Sequence, residues 1–456
     1  MKATKIFMLL LTTILFFTLT GAVMINVHRN QKKEYYYFED PLVCSGCHWD
    51  KFKRWNVSQH SKGFTGDFFQ EQFYQLVLPS ISFNEKVSHT HEGCIGCHSP
   101  SAFLSGEYIP PRASKPDNHW NRGDGIKTMA DRGIFCDFCH TLDGFKNDPP
   151  FNHDYISLAT AEVDAKHADL EFPWSPHHET QTSDIFEAPF ICATCHNELN
   201  PYGVWVKATE HEYNESVYLH RGIICQTCHM QPMGGKPAKM GILRPHNTDH
   251  WFGGGFTKFV EGAAKVSIQL ENIEIKQETL QFKILVKAEA TGHKFPTGSV
   301  EERDVWLHVT VNDEHGNEIV HIPVPQNPDD PNDQYFITSN AKVAYPSHNR
   351  LSKPFERDAL PEGDRIYHSA FLDSDGHFTY SQWFAVKEIE NRLEPLEERV
   401  ENYVWNVPGD LDEKELYLTA VLYYRRMPDS FADFLNIPRR PVITVSKDVR
   451  KLVINH

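Results

Sequence analysis

The chain has 456 residues, room for two or three domains that each bury a core. With 40% hydrophobic and 12% aromatic residues it reads as a globular protein, not a disordered or fibrous one. A formal net charge of −16 argues against nucleic acid as a partner, because phosphate binding needs a basic surface.

The first predicted element runs without a charge from Ile6 to Val27, preceded by Lys2 and Lys5. It is long for a signal-peptide core and long enough to span a bilayer, so residues 1–33 are read as a membrane anchor that is not cleaved. A cleaved signal ending near Thr20, Gly21 and Ala22 is the alternative, and the basic residues Arg29, Lys32 and Lys33 argue mildly against the anchor. Either reading exports the remainder to the periplasm or the extracytoplasmic face.

All ten cysteines fall between Cys44 and Cys228, and each belongs to a C-x-x-C-H unit. The five units are Cys44, Cys47 and His48; Cys94, Cys97 and His98; Cys136, Cys139 and His140; Cys192, Cys195 and His196; Cys225, Cys228 and His229. Two thiols three positions apart form thioethers to the two vinyl groups of one porphyrin, and the adjacent histidine then reaches the iron from one face. Five c-type haems with these proximal ligands are therefore expected. Structural zinc wants paired C-x-x-C units about 15–20 residues apart. The gaps here are 46, 38, 52 and 29 residues, and five pairs leave one over. Disulfides suit an exported chain but give no reason for the histidines.

Between the motifs the sequence has short helical stretches such as 50–60 and turn chemistry such as Ile109-Pro110-Pro111 and Asp148-Pro149-Pro150. Residues 34–262 are accordingly read as a pentahaem domain whose apolar core comes largely from the macrocycles. From Ala264 the texture changes. Leu280, Phe282, Ile284 and Val286 alternate with polar residues, and Val305, Leu307, Val309 and Val311 repeat the pattern, with later runs at 364–372, 400–407 and 415–424. The expected fold class is α+β multidomain: a loop-rich, mainly helical multihaem domain followed by an antiparallel β-sandwich-like domain over 263–456.

Of the 26 histidines, 21 lie outside the motifs, a surplus that favours a second imidazole on each iron. The rival ligand, methionine, is scarce in the motif region: Met129, Met230, Met233 and Met240. The distal candidates are His60, His91, His178, His250 and His293, with His119, His153, His177, His220 and His246 in reserve. His293 stands on the Gly292–Gly298 loop just after a predicted strand, where the β-rich part would present it to a haem. Two imidazoles per iron imply low-spin irons of low potential.

Several of these segments resemble a broad family of multihaem cytochromes related to the tetrahaem cytochrome of nitrifying bacteria and, more distantly, to hydroxylamine oxidoreductase. The segments are Trp55-x-x-Ser58-x-His60, Arg132 to His140, His178-x-x followed by Cys192 to His196, Cys225 to Met230, His250-x-x-x-x, and Gly292 to Gly298 ahead of a strand at Trp306 and Leu307. The resemblance implies a haem-wrapping α domain, bis-histidine ligation and an electron-transfer role in the periplasm or at the cell surface. This chain departs from the nitrifier protein in its fifth motif and its long β-rich end.

The expected function is a relay that takes electrons from a quinol oxidase or another cytochrome and passes them along the haems. The alternative is a multihaem reductase of nitrite, hydroxylamine or a sulfur oxyanion, which needs one open iron and polar groups aimed at it, for which Arg122, Arg132, Tyr218 and Arg221 are candidates.

Overall fold

The computed structural model describes residues 36–113, 128–160, 165–255, 258–270, 274–275, 278–337, 343–344, 355–356, 360–409, 411 and 415–454. The segment Ile6–Val27, His119 and Arg122 lie outside them. Among the described residues no helix is long and apolar enough to cross a membrane.

In the motif-bearing part the chain forms short helices because each motif is itself about one helical turn. Residues i, i+3 and i+4 share one helix face, which puts both thiols and the histidine of a C-x-x-C-H unit on the same side. Asp40 caps the helix Pro41–Cys44 by accepting the Leu42 N–H. The other motifs lie on or within Thr90–His98, Cys136–Cys139, Phe190–His196 and Cys225–His229.

Helices do not dominate, and the expected mainly helical domain is not what is observed: among the described residues 27% are helix and 29% strand. The motif-bearing part itself carries four two-stranded pairs: Leu142–Phe145 with Tyr155–Ser157, Ala165–Ala168 with Glu179–Thr182, Asn197–Leu199 with Trp205–Ala208, and Pro232–Gly235 with Arg244–Thr248. The physical reason lies in the intervening segments. They are too short and too rich in turn residues to nucleate helices, and pairing satisfies their backbone groups instead.

Beyond residue 264 two sheets enclose a conventional core. We label the strands β1 (Lys265–Gln269), β2 (Thr279–Lys287), β3 (Asp304–Asn312), β4 (Glu318–His321), β5 (Arg365–Ile366), β6 (Glu398–Asn406), β7 (Glu415–Arg425) and β8 (Ile443–Ile454). One sheet runs β8-β7-β3-β4, with β5 also on β3 and residues 274–275 pairing parallel to β8; the other runs β6-β2-β1. The alternation in β2 turns Phe282, Ile284 and Val286 inward, where they meet Val305, Leu307, Val309, Leu418, Ala420 and Leu422.

A second apolar cluster belongs to both parts of the chain. Phe64, Phe69, Phe73 and Ile95 pack with Tyr380, Trp383 and Phe431. Phe431 rides on the helix Asp429–Leu435, which ends at Asn436 in the left-handed conformation with φ 56°. An Arg440–Asp67 ion pair fastens the same junction.

Candidate haem sites

The five motifs open onto one continuous cavity of about 1820 Å³. Its walls include the histidines His48, His98, His140, His196 and His229 and nine of the ten motif cysteines, Cys94 being the exception. No two of the ten cysteines are joined in a disulfide. Cysteines of different motifs approach each other: Cys44 contacts Cys136, Cys97 contacts Cys195, and Cys192 contacts Cys225. The first motif therefore adjoins the third, the second adjoins the fourth, and the fourth adjoins the fifth.

Four histidines from distant segments face motif histidines across this cavity. The ring-centre separations are 6.4 Å for His48 and His178, 6.2 Å for His140 and His250, 6.3 Å for His196 and His60, and 6.3 Å for His229 and His293. An imidazole nitrogen sits about 1.1 Å from its ring centre and a metal–imidazole bond is about 2.0 Å, so two rings on opposite sides of one metal stand roughly 6.2 Å apart. The donor set and its spacing fit a six-coordinate haem iron at each of the four pairs.

The outer nitrogens are fixed as well. Nδ1 of His48, His98, His140 and His229 lies 2.8, 2.8, 2.6 and 2.6 Å from the carbonyls of Pro237, Gly63, His167 and Gly253. Nδ1 of His178, His250 and His293 lies 2.9, 3.0 and 2.9 Å from the carbonyls of Glu179, Thr248 and Lys294. A carbonyl holds Nδ1 as the protonated nitrogen and turns the Nε2 lone pair toward the cavity. Burial, with neighbouring histidines adding to it, holds His60 and His250 down to about 3 and His196 to about 4. Burial also holds His98 down to about 4. These rings are thus neutral donors at ordinary pH.

His293 owes its position to a buried ionic joint between the two parts of the chain. Arg392 pairs with Glu212 of the helix Thr209–Asn214 and with Glu390. Thr297, on the His293 loop, donates to Glu212 at 2.9 Å and bonds Thr209 at 2.9 Å.

His98 differs from the other motif histidines. Among the described residues no imidazole faces it, and the Phe69 ring stacks on it at 4.1 Å. The distal candidate His91 lies seven positions earlier on the same helix, Thr90–His98, and the other four motif histidines are faced by other residues. Two helical turns separate the side chains along one element, so His91 does not come round to face His98. Of the reserves, His153 packs on the second motif: a Cβ on Gly96 would meet its ring at 2.5 Å, so only glycine fits beneath it. His177 lines the cavity but is not set against a motif histidine.

A charged group near His98 carries no local signal in the sequence. Lys207, partly buried and paired with Glu198, acts electrostatically on both His98 and His196. Beside it are Glu301 and Glu302, both with 0% exposure. Burial pushes both carboxyls up, Glu302 to about 7, and Gln72 donates to Glu302 at 3.0 Å. Glu301, Glu302, Arg303 and Asp304 are four consecutive charged residues in the sequence. Of the polar candidates, Arg132 donates to the Phe38 carbonyl at 2.7 Å, Tyr218 donates to the Glu289 carbonyl at 3.1 Å, and Arg221 lies over the Tyr218 ring.

Comparison with known proteins places the fold. No family model and no curated protein matches the chain. Among solved structures, a penta-heme cytochrome c552 from Thermochromatium tepidum aligns over 90% of this chain and 99% of its own, with a TM-score of 0.59 and 16% identity. Two others align over 43% of the chain: Spo0M, a sporulation control protein from Bacillus subtilis, with 50% of its own length, a TM-score of 0.18 and 12% identity, and AvmM, which catalyses macrocyclization in alchivemycin A biosynthesis, with 90%, 0.21 and 10%.

Proposed function

We propose that the chain is an exported pentahaem cytochrome c that relays electrons between redox partner proteins such as a quinol oxidase and other cytochromes. The observation that carries this reading is the set of four histidine pairs at 6.2–6.4 Å, each joining a motif histidine to a remote one along a single cavity. The sequence motifs shared with the nitrifier cytochromes and the likeness to a penta-heme cytochrome fold support it.

Bound haem supplies one-electron exchange at iron, and the chain does the rest. Buried neutral imidazoles favour low potentials, and their carbonyl partners keep the rings from turning. Sulfur contacts set the order in which the sites adjoin, first to third and fourth to both second and fifth. Phe252 bridges the third and fourth sites, with its ring 4.4 Å from His60 and 5.8 Å from His250. The fourth motif is then a junction between the first and third sites on one side and the second and fifth on the other.

A second reading, reduction of a small nitrogen or sulfur oxyanion at the second motif, is favoured by one observation: His98 has no facing imidazole among the described residues, and Lys207, which acts on it electrostatically, also acts on the buried acids Glu301 and Glu302. Glu302, titrating near neutrality, is suited to hold a proton for delivery.

Mass spectrometry of the mature chain and EPR of the oxidised protein test both readings. The relay predicts five haem additions, at least four low-spin irons, and electron exchange without turnover of nitrite or hydroxylamine. Fewer than five additions would sink the relay as stated, and steady turnover by reduced protein would replace it with the reductase.

A further inference from the structure

A second group of metal-binding side chains lies away from the cavity, on the outer face of β3. Val305, Leu307, Val309 and Val311 of β3 point into the core, so Trp306, His308 and Thr310 point out. Strand register brings two further side chains to this face. Thr310 opposes His321 of β4, and Leu307 opposes Arg365 of β5. Both short strands flank the same edge of β3, because its other edge is taken by β7. His321 therefore comes diagonal to His308, and Asp364, one step before Arg365, comes opposite it.

The three side chains converge. His308 Nδ1 lies 2.9 Å from one Asp364 carboxylate oxygen and His321 Nε2 lies 2.7 Å from the other. The two rings stack at 4.8 Å with 20° between their planes. One ligand atom from each of the three residues lies within 4.8 Å of the others. The Asp364 side chain is 1% exposed and the two imidazoles 15% and 20%, so the carboxylate forms the floor and the rings the rim. Glu318 stands 3.8 Å from the far nitrogen of His308.

The geometry points to a binding site for one divalent transition ion of the zinc type, held by His308 Nδ1, His321 Nε2 and the Asp364 carboxylate. Two imidazole nitrogens and one carboxylate oxygen are a donor set that zinc accepts, with a fourth position left for water. A tetrahedral ion with bonds of about 2.0–2.1 Å needs donor atoms roughly 3.3 Å apart, a small outward movement from the hydrogen-bonded spacings here. Glu318 then plays the supporting part that a carboxylate plays behind a metal-bound histidine. All three donors stand on or beside paired strands, which holds their separation better than loops would. This site takes no part in haem chemistry: it faces away from the core, and its residues are not among those lining the haem cavity.

The competing description is purely structural, a buried carboxylate satisfied by two imidazole N–H groups. His321→Asn separates the two, because asparagine still offers an N–H to Asp364 but is a poor zinc ligand. Holoprotein is dialysed against zinc chloride and then against a weak chelator, and bound zinc is counted by elemental analysis against protein. The expected result is one zinc per chain. In His321→Asn and in Asp364→Asn the site is lost, and Glu318→Gln weakens it by about tenfold. The haem absorption spectrum is unchanged in each variant, and zinc raises the thermal midpoint of the parent chain but not of His321→Asn. Retention of zinc by His321→Asn at the parent's level, or no zinc held by the parent, overturns the proposal.

Discussion

The two parts of this chain solve the problem of a core in opposite ways. In residues 265–454 side chains fill the interior: Ile284, Val305, Leu307, Leu416, Leu418, Leu422 and Leu452 are each fully buried between two sheets. In residues 36–255 the side chains instead wall a cavity of about 1820 Å³. Its neighbouring apolar cluster is small, with Phe38, Phe52, Trp55, Phe135, Phe138, Leu142 and Tyr155 at its centre. A protein interior packs to about three-quarters of its volume, so a void of this size is a place for a large apolar group. One part carries its stability in its own side chains, and the other leaves much of its interior to whatever fills the cavity.

The largest effect should come from breaking that dependence. Cys192→Ala combined with Cys195→Ala removes the attachment point that adjoins both the second and the fifth sites. Limited proteolysis should then cut the chain throughout residues 36–262 while leaving fragments of the 265–454 region. Equal resistance in the variant and the parent would show that side chains alone hold the first part together.

The next largest effect concerns the joint between the parts. Arg392 and Glu212 are each 4% exposed as side chains. Removing one partner of a buried pair leaves an unpaired charge and costs about 3–5 kcal/mol. Arg392→Ala should lower the unfolding midpoint accordingly, and it should also disturb the iron held by His229 and His293, because Arg392 anchors the loop of His293. A stability loss with no change in the EPR spectrum would detach the joint from the haem site. Leu418→Ala, inside the sheet core, should cost about 2–5 kcal/mol and leave every haem signal untouched.

The same contrast explains what could be read in advance. The C-x-x-C-H units are local, so one helical turn reveals them. The alternating strands at 280–286 and 305–311 are likewise local and appear within β2 and β3. Which remote histidine faces which motif is not local: His60 comes to His196 although His48 is far nearer in sequence, because tertiary packing around the cavity decides it. Helix content was overestimated because a turn of helix at each motif says nothing about the segments between motifs. The cluster of His308, His321 and Asp364 was invisible because three strands must first take their register. Glu301 and Glu302 reverse the usual pattern, as charge in sequence becomes burial in the fold.

The smallest predicted effect tests that last reversal. Burial keeps the Glu302 carboxyl protonated up to about pH 7 against the opposing pull of Arg303, Lys207, Arg426 and Gln72, whereas an unfolded chain ionises it near 4.5. Between those values the folded state binds more protons than the unfolded one, so stability is fully present below about pH 4.5 and declines as pH rises through about 7. Glu302→Gln keeps a neutral side chain of the same shape and removes the proton. Its unfolding midpoint should therefore fall less than the parent's across that interval, with the two closest at the acid end. Parallel curves for the two chains would mean that Glu302 titrates alike in the folded and unfolded chains, its cationic neighbours balancing burial. That outcome would also remove Glu302 as a proton-holding group and weaken the case for reduction chemistry at the second motif.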